Sequence, residues 1–271
     1  MISVLNSVSQ LGAENALSST NASLQNTLLQ LSTGLKINSG SDNATGLSIA
    51  AGLGANISAL TQSSQNASTG VGLLQTADGA LSQVTTLLNR AVTLATEAAN
   101  GGLTTAQSTA ADTEYQSILS EVTQIGSTTN FNGTAVFSAT PQTVFTSDGT
   151  AGGTTTTSTT TGALSATTLG LTGTLTDVAS ATASLTAITA AINTVSGTRG
   201  SIGASVNQLT ADSSVENTEV TNLTSAQNNI QNADIGTTVA KMTQDNVLEQ
   251  TGMAALSQSN QAQQAVLKLL Q

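Results

Sequence analysis

The sequence predicts a mainly α-helical protein, a long antiparallel helical coiled-coil bundle built from both chain ends, with a small β-hairpin or loop insert. Apolar residues recur at steps of three and four along most of the 271 residues, which is the spacing of a helix seam. The single proline, Pro141, leaves long helices unbroken. Aromatic residues are only 1% of the chain, so the apolar contacts must come from Ala, Leu, Val and Ile, which suit thin seams between helices.

A stripe of leucines predicts the first helix. Its members follow one another at steps of seven, four and three residues: Leu17, Leu24, Leu28, Leu31 and Leu35. Gly34 and the polar run 38–42 interrupt this helix. Ser41 or Asp42 is a suitable N-cap for the helix that follows.

The strongest periodicity predicts a second helix over about residues 43–99, roughly 85 Å long at 1.5 Å per residue. Its seam alternates steps of four and three for about six heptads. The seam residues are Leu53, Ile57, Leu60, Ser64, Ala67, Val71, Leu74, Asp78, Leu81, Thr85, Leu88, Val92 and Ala95. The run 100–102, Asn-Gly-Gly, is expected to end the helix.

A shorter third helix and an insert follow. The stripe Ala111, Tyr115, Ile118, Val122 and Ile125 predicts the helix, and turn residues at 130–133 close it. Residues 138–176 are rich in Thr and Gly. They predict short hairpins or a flexible loop, and a disordered low-complexity segment is the alternative.

Helical periodicity then returns in two segments. The first has the seam Leu185, Ile188, Ile192, Val195, Arg199, Ile202, Val206, Leu209, Ser213, Glu216, Val220 and Leu223. Arg199 and Glu216 must lie at the edge of this seam or be paired. The second has apolar pairs separated by polar ones; the apolar pairs are Val239 with Met242, Met253 with Leu256, and Leu267 with Leu270.

This diluted stripe buries too little area for the last helix to be stable alone, and the first 35 residues are equally weak. We expect both ends to become ordered only when packed together among neighbouring copies of the chain. The predicted organisation is nested. Terminal helices occupy 1–40 and 229–271, a helical rod domain occupies 41–137 and 177–228, and the variable Thr/Gly-rich insert occupies 138–176.

Composition excludes several functions. The chain has no Cys and no His, which removes thiol nucleophiles, imidazole bases and the usual zinc ligands. We therefore expect no enzyme activity, no cofactor and no metal site. Its net charge is −10 and its five basic residues are scattered, so nucleic acid is not an expected partner. The N-terminus lacks a signal-peptide pattern and no uninterrupted apolar run is long enough to span a membrane, so no membrane partner is expected either.

Several motifs, in order along the chain, resemble those of the bacterial flagellins. The N-terminal signature of that family is similar to Leu31-Ser32-Thr33-Gly34-Leu35-Lys36-Ile37-Asn38-Ser39 and to residues 42–50. Residues 75–81, 97–101 and 129–133 resemble its mid-helix, helix-end and Phe-Asn-Gly motifs. Residues 233–235, 258–261 and 266–270 resemble its C-terminal signature. The resemblance covers about residues 1–137 and 178–271.

The resemblance implies a structural subunit that polymerises into the extracellular flagellar filament used for swimming. It implies that the terminal helices form the inner filament core, that the rod lies outside them and that the insert faces solvent. It also implies export by the flagellar type III pathway, and an export chaperone, a filament cap and hook-junction proteins as partners beside the homopolymer itself. The expected assembly interface is Leu17, Leu24, Leu28, Leu31, Leu35, Val239, Met242, Met253, Leu256, Leu267 and Leu270.

A second surface follows from the resemblance alone. Some flagellins present a surface to an innate immune receptor, and the matching positions here are Asn89, Arg90, Leu94 and Glu114. Asn89 departs from the usual Gln of the family. The competing interpretation is that Arg90 and Glu114 are solvated or inter-helix charges.

Three other functions compete with the filament subunit. A hook-filament junction protein shares the terminal helices. A chemoreceptor-like signalling coiled coil has similar Ala- and Gln-rich heptads but needs membrane spans. A hydrolase would need catalytic residues of which the sequence gives no sign, including a Gly-x-Ser-x-Gly elbow.

Overall fold

A computed structural model describes the backbone of residues 2–148, 150 and 154–269. This part of the chain forms five helices and four short strands. In chain order they are α1 (Ile2–Thr33), α2 (Gly40–Ala98), α3 (Thr105–Thr128), β1 (Asn130–Phe131), β2 (Thr134–Ala135), β3 (Gln142–Ser147), β4 (Thr154–Thr159), α4 (Val178–Gln231) and α5 (Ile235–Leu269). The prediction of a mainly helical chain with a small β insert is confirmed.

The chain divides into two units. The terminal unit contains Met1–Gly54 and Leu223–Gln271, and therefore holds α1 and α5. The central unit contains Ala55–Asn222. It holds α3, the four strands, the C-terminal part of α2 and the N-terminal part of α4.

The core of the central unit is formed by α2, α3 and α4. It has the predicted period but a wider face than predicted. On α2 the buried residues include Leu60, Ala67, Leu74, Leu81, Leu88 and Ala95 as expected, and also Ser63, Gly70, Ala77, Val84, Ala91 and Ala98. The predicted partners Val71 and Val92 are only half-buried. A helix that packs against more than one neighbour buries more than two positions per heptad, and small residues let those neighbours approach closely.

Helix α2 is interrupted near its start. Asn43 has extended backbone angles, φ −165° and ψ 95°, inside the helix range. Its side-chain oxygen accepts a hydrogen bond from the Gly46 amide at 2.8 Å, so Asn43 caps the long helix. The expectation of a cap at Ser41 or Asp42 was wrong. The Asp42 carboxylate instead accepts hydrogen bonds from the Asn38 and Ser39 amides, which lower the pKa of Asp42.

Two hairpins follow α3, the first just before the insert and the second at its start. Strands β1 and β2 pair across a turn in which Asn132 and Gly133 have positive φ, as the predicted turn residues require. Strands β3 and β4 pair antiparallel with Gln142 opposite Thr159 and Ser147 opposite Thr154. Thr146 and Thr157 are buried, so part of this hairpin lies against the helices.

The second half of the insert enters the core. Leu164, Leu171 and Leu175 are buried with residues of all three helices, although the resemblance implied that the insert faces solvent. Gly126 makes this packing sterically possible, because a β-carbon there would lie 1.8 Å from the carbonyl oxygen of Leu164. Spaced leucines outside a helical pattern gave no recognisable signal in the sequence.

Two charged residues lie in the α2–α4 seam, as the sequence required. The Arg199 guanidinium donates hydrogen bonds to both oxygens of Asp78, at 2.7 and 3.2 Å, and lowers the pKa of that carboxyl group. Glu216 is only 8% exposed and accepts a hydrogen bond from Ser63. The prediction that these charges pair or lie at the edge is confirmed for Arg199 and wrong for Glu216, which is buried and hydrogen-bonded to an uncharged serine.

By length and composition alone, α2 and α4 could each cross a membrane. A core helix passes the same test. In this chain the buried side chains of both helices line the core of the central unit, and an ion pair joins the two helices.

Candidate functional site

The ends of the chain are tied together by backbone hydrogen bonds. The Lys36 amide donates to the Gln231 carbonyl at 2.7 Å, and the Ala233 amide donates to the Gly34 carbonyl at 2.9 Å. These bonds surround an antiparallel bridge between Leu35 and Asn232. They place the end of α1 beside the start of α5, so the two helices can run back along each other.

Helices α1 and α5 pack antiparallel along a narrow seam. Its contacts include a hydrogen bond from Gln10 to Asn260 at 3.1 Å and one from Ser23 to Asp245 at 2.8 Å. Buried or half-buried positions on α1 include a stripe at steps of three and four residues: Ala13, Leu17, Thr20, Leu24, Thr27 and Leu31, with Gln10, Asn21, Ser23 and Gln30 half-buried beside it. Those on α5 are Thr238, Met242, Asp245, Asn246, Glu249, Gly252, Leu256 and Ser259. Few layers of this seam are apolar on both helices.

The terminal unit has almost no buried apolar core. Among its described residues, the buried apolar side chains are Ile37 and Ala50, whereas the central unit has a continuous cluster. Ten of its described large apolar residues are exposed and most of the others are only half-buried; the exposed ones are Val8, Leu11, Leu28, Leu29, Ile49, Ile235, Val239, Val247, Leu248 and Met253. The larger central unit exposes three, Phe145, Val178 and Val215. Apolar surface therefore concentrates on the unit that is least able to bury it within one chain.

Charge does little to solvate this surface. Helix α1 has one charged residue, Glu14. Helix α5 has four, Lys241, Asp245, Glu249 and Lys268; Asp245 is buried in the seam, Glu249 is half-buried and Lys241 is exposed. An exposed apolar surface with so few charges is typical of a protein–protein interface.

The structure divides the predicted assembly residues into two groups. Leu17, Leu24, Leu31, Leu35, Met242 and Leu256 are half-buried within the chain. Leu28, Val239 and Met253 are exposed on the outside of the helix pair. The side chain of Leu267 and all of Leu270 lie outside the described residues.

Sequence reasoning missed the other exposed apolar residues of the end helices. Val8, Leu11 and Leu29 on α1 and Val247 and Leu248 on α5 all lie off the seam. We followed one apolar stripe per helix, and a second apolar face would have become visible only if the remaining positions had been examined for their own clustering.

The second predicted surface contains an ion pair between α2 and α3. The Arg90 Nε donates to Glu114 Oε1 at 2.7 Å and its Nη2 donates to Oε2 at 3.0 Å. This pairing lowers the pKa of Glu114 and raises that of Arg90. Asn89 is exposed, but Leu94 is only 3% exposed and belongs to the core. The geometry favours the interpretation of inter-helix charges.

Acidic residues do not gather into a metal site in the described part of the chain, where no group of three potential ligands lies close enough. The most prominent surface groove has a volume of about 420 Å³ and lies between α2 and the two hairpins, lined by Leu73, Phe131, Val144 and Phe145 among others. Its lining offers no nucleophile activated by a base, since the chain has neither His nor Cys.

Comparison with known proteins gives consistent matches along the chain. Residues 4–142 match the bacterial flagellin N-terminal helical region and residues 185–270 match the bacterial flagellin C-terminal helical region. A flagellin of Halalkalibacterium halodurans is 33% identical over 250 residues, which covers 91% of both chains. A flagellin of Bacillus subtilis is 30% identical over 302 residues, covering 97% of this chain and 98% of the relative. The crystal structure of Bacillus cereus flagellin is 28% identical and covers 56% of this chain and 88% of that chain, with a TM-score of 0.49.

Proposed function

The chain belongs to the bacterial flagellin family, and from this premise we propose that α1 and α5 are the segments through which its copies join. Members of this family are structural subunits, not enzymes, and polymerise into the flagellar filament, an extracellular appendage. Relatives that match nearly the whole chain are flagellins, so a hook-filament junction protein and a chemoreceptor-like coiled coil are not favoured.

The observation that carries the proposal is the uneven distribution of apolar surface. Among its described residues, the terminal unit exposes ten large apolar side chains, against three in the central unit, while its seam is partly polar. Exposed apolar area is removed from water when a second copy covers it, at about 25 cal/mol per Å². Contacts between unlike faces of identical copies generate a closed ring if the rotation between copies closes, and a helical polymer if it does not.

The proposal extends to the organisation of the subunit. Residues 1–40 and 229–271 form the inner filament core, residues 41–137 and 177–228 form the rod outside it, and residues 138–176 form the insert. The assembly surface includes the predicted Leu28, Val239 and Met253, and we add the exposed Val247 and Leu248. The half-buried seam residues act indirectly, by holding α1 against α5.

Deletion of residues 232–271 should leave a chain that forms no filaments, because it removes one of the two helices that join the subunits. Sedimentation and electron microscopy of the polymer measure the result. Normal filaments from this deletion would refute the proposal.

Single substitutions provide a gentler test. Val247→Ser and Met253→Ser should each raise the critical concentration for polymerisation about tenfold or more, since losing one buried apolar side chain costs about 1.5–3 kcal/mol and 1.4 kcal/mol is a factor of ten. Val178→Ser is the matched control, because Val178 is similarly exposed but lies in the central unit. Equal critical concentrations for all three variants would contradict the assignment of the interface to α5.

We also propose that the chain leaves the cell through the flagellar type III pathway and meets an export chaperone, a filament cap and hook-junction proteins. The apolar surface of the end helices supports a chaperone, since such a surface associates prematurely unless it is covered before assembly. A chaperone that covers α5 should bind the full chain and should not bind the chain without residues 232–271. Equal binding would exclude α5 as its site.

A further inference from the structure

Two stripes of α5 compete for burial against α1. Both stripes contain Met242, Glu249 and Leu256. They differ in which of two adjacent heptad positions supplies the remaining residues. The apolar stripe would add Val239, Asn246 and Met253. The polar stripe adds Thr238 and Asp245, which are buried, and Gly252, which is half-buried; on the apolar stripe Asn246 is half-buried, and Val239 and Met253 are exposed.

Burial of apolar area alone does not explain this choice. The apolar stripe offers a valine and a methionine where the polar stripe offers a threonine and a glycine. It would also bury an amide in place of a carboxylate, and an ionised carboxylate is the more costly of the two to remove from water. Specific contacts must therefore fix the phase of α5, by which we mean its rotation about its own axis relative to α1.

Two contacts meet this requirement, and both lie on the polar stripe. Asp245 is 6% exposed, and its Oδ2 accepts a hydrogen bond from the Ser23 hydroxyl at 2.8 Å. Gly252 lies directly beside Leu17, since a β-carbon built on Gly252 would lie 3.3 Å from Leu17 Cδ1. The first contact compensates the buried carboxylate, and the second lets the two helices approach closely.

The consequence is seen on the outer side of α5. Val239 is 39% exposed and Met253 is 50% exposed. Exchanging one heptad column for its neighbour rotates the helix by about half of the 100° that separates successive residues, or roughly 50°. Such a rotation would turn Val239 and Met253 toward α1 and withdraw them from the outer surface.

We propose that the Ser23–Asp245 pair, together with Gly252, positions α5 so that Val239 and Met253 face a neighbouring copy of the chain and not α1. Asp245 is then a positioning residue for assembly, and this inference rests on the proposed function of the end helices. A buried polar residue that fixes the geometry of a helix pair at a cost in stability is known from coiled coils.

Engineered disulfides can report the phase of α5, because the chain has no cysteine of its own. A β-carbon on Gly252 would lie 4.0 Å from Leu17 Cβ, which is within the range for a disulfide. The variant L17C/G252C reports the observed phase and L17C/M253C reports the rotated phase. Each is made in the otherwise native chain, in S23A/D245A, and in Q10A/N260A, which removes an exposed hydrogen bond of the same seam.

In the native chain and in Q10A/N260A, we expect the disulfide at 252 to form about tenfold faster than that at 253, since only its geometry suits the bond. In S23A/D245A the preference should shift to 253. The critical concentration of reduced S23A/D245A without the cysteines should rise, with helicity by circular dichroism retained.

Two results would overturn the inference. An unchanged preference for 252 in S23A/D245A would show that the pair does not set the phase. Equal slow formation of both disulfides with loss of helicity would show that the pair merely holds the helices together. Neither result depends on polymerisation, so both are distinct from a failure of the proposed function, which the deletion of residues 232–271 tests.

Discussion

At the scale of single residues, the charged groups in the α2–α4 seam of the central unit differ in how fully they are hydrogen-bonded. In the central unit, Asp78 and Arg199 satisfy each other across the α2–α4 seam. Glu216 is less well satisfied, because Ser63 occupies one carboxylate oxygen and Oε2 has no hydrogen-bond partner although it is buried. Ser63 in turn accepts a hydrogen bond from the Ser147 amide, which links Glu216 to the end of β3.

The buried carboxyl group of Glu216 leads to a prediction about pH. Burial raises the pKa of Glu216, and Asp212 and Glu219 add to the increase. The folded chain therefore binds this proton more tightly than the unfolded chain does. Its contribution to stability is fully present below the ordinary glutamate pKa of 4.5 and is lost as the pH rises through the raised folded value.

Glu216→Gln should consequently be more stable than the native chain at pH 7, by about 1 kcal/mol, because it buries a neutral amide in place of a charged carboxylate. The advantage should disappear toward pH 4.5. Carboxyl groups with a lowered pKa, such as Asp78 and Glu114, lose their contributions at lower pH and do not obscure this window. Urea unfolding followed by the fluorescence of Tyr115, the only tyrosine in a chain without tryptophan, measures the central unit. Exposed Glu121→Gln is the control, and the same pH slope in both variants would contradict the prediction.

At the scale of helices and strands, the sequence predicts the period well and the buried face only in part. Apolar steps of three and four identified all five helices. On α5, however, the apolar residues Val239 and Met253 suggested one seam, and the structure buries Thr238 and Asp245, with Gly252 half-buried, in their place. Periodicity reports which residues could be buried. The choice between adjacent columns depends on contacts with a partner helix, and these are not encoded in either helix alone.

The insert shows a second limit of the same kind. The turn at 130–133, just before the insert, was predictable, because asparagine and glycine readily adopt positive φ. The burial of Leu164 and Leu171 was not predictable, since it depends on a gap created by Gly126 in a different element. The candidate site residues show the same limit of prediction from sequence. The leucine stripe of α1 was visible in the sequence, whereas the division into an inner seam and an outer surface required the packed pair.

The start of α3 provides a prediction at this scale. Thr104 and Gln107 form a capping box, in which the Gln107 amide donates to the Thr104 hydroxyl and the Thr104 amide donates to the Gln107 side chain. Thr104→Ala removes the side-chain acceptor of the box, while the Gln107 amide keeps its hydrogen bond to the Thr104 carbonyl at 2.9 Å, so the substitution should destabilise the central unit by about 0.5–1 kcal/mol. Urea unfolding monitored by Tyr115 fluorescence is again suitable, because Tyr115 lies on this helix. Thr105→Ala, one residue further along, should cause no loss, and equal effects of both substitutions would mean that the box contributes nothing.

At the scale of the whole molecule, the two units differ in how they obtain their stability. The central unit buries a continuous apolar cluster, which is the main source of folding free energy in a single domain. The terminal unit has a partly polar seam between two long helices, and a backbone bridge joins the end of α1 to the start of α5. Its remaining apolar area is available only to another copy of the chain. A subunit of this kind carries a domain that is stable alone and ends that gain stability by assembly.

This difference predicts where a protease will cut. In the monomer, α1 and α5 should open locally at low free-energy cost and be digested, while the core of the central unit survives. In the polymer the same helices should be protected, because neighbouring copies cover their exposed apolar faces. Limited proteolysis with a protease that cleaves after leucine, followed by mass spectrometry, would locate the cuts, and Leu11, Leu29 and Leu248 are exposed sites of the terminal unit. The control is the monomer at a concentration just below polymerisation, which keeps solvent and protease identical. Digestion at equal rates in monomer and polymer would mean that the ends are already stable in the isolated chain, and their exposed apolar surface would then have to serve some purpose other than joining the subunits.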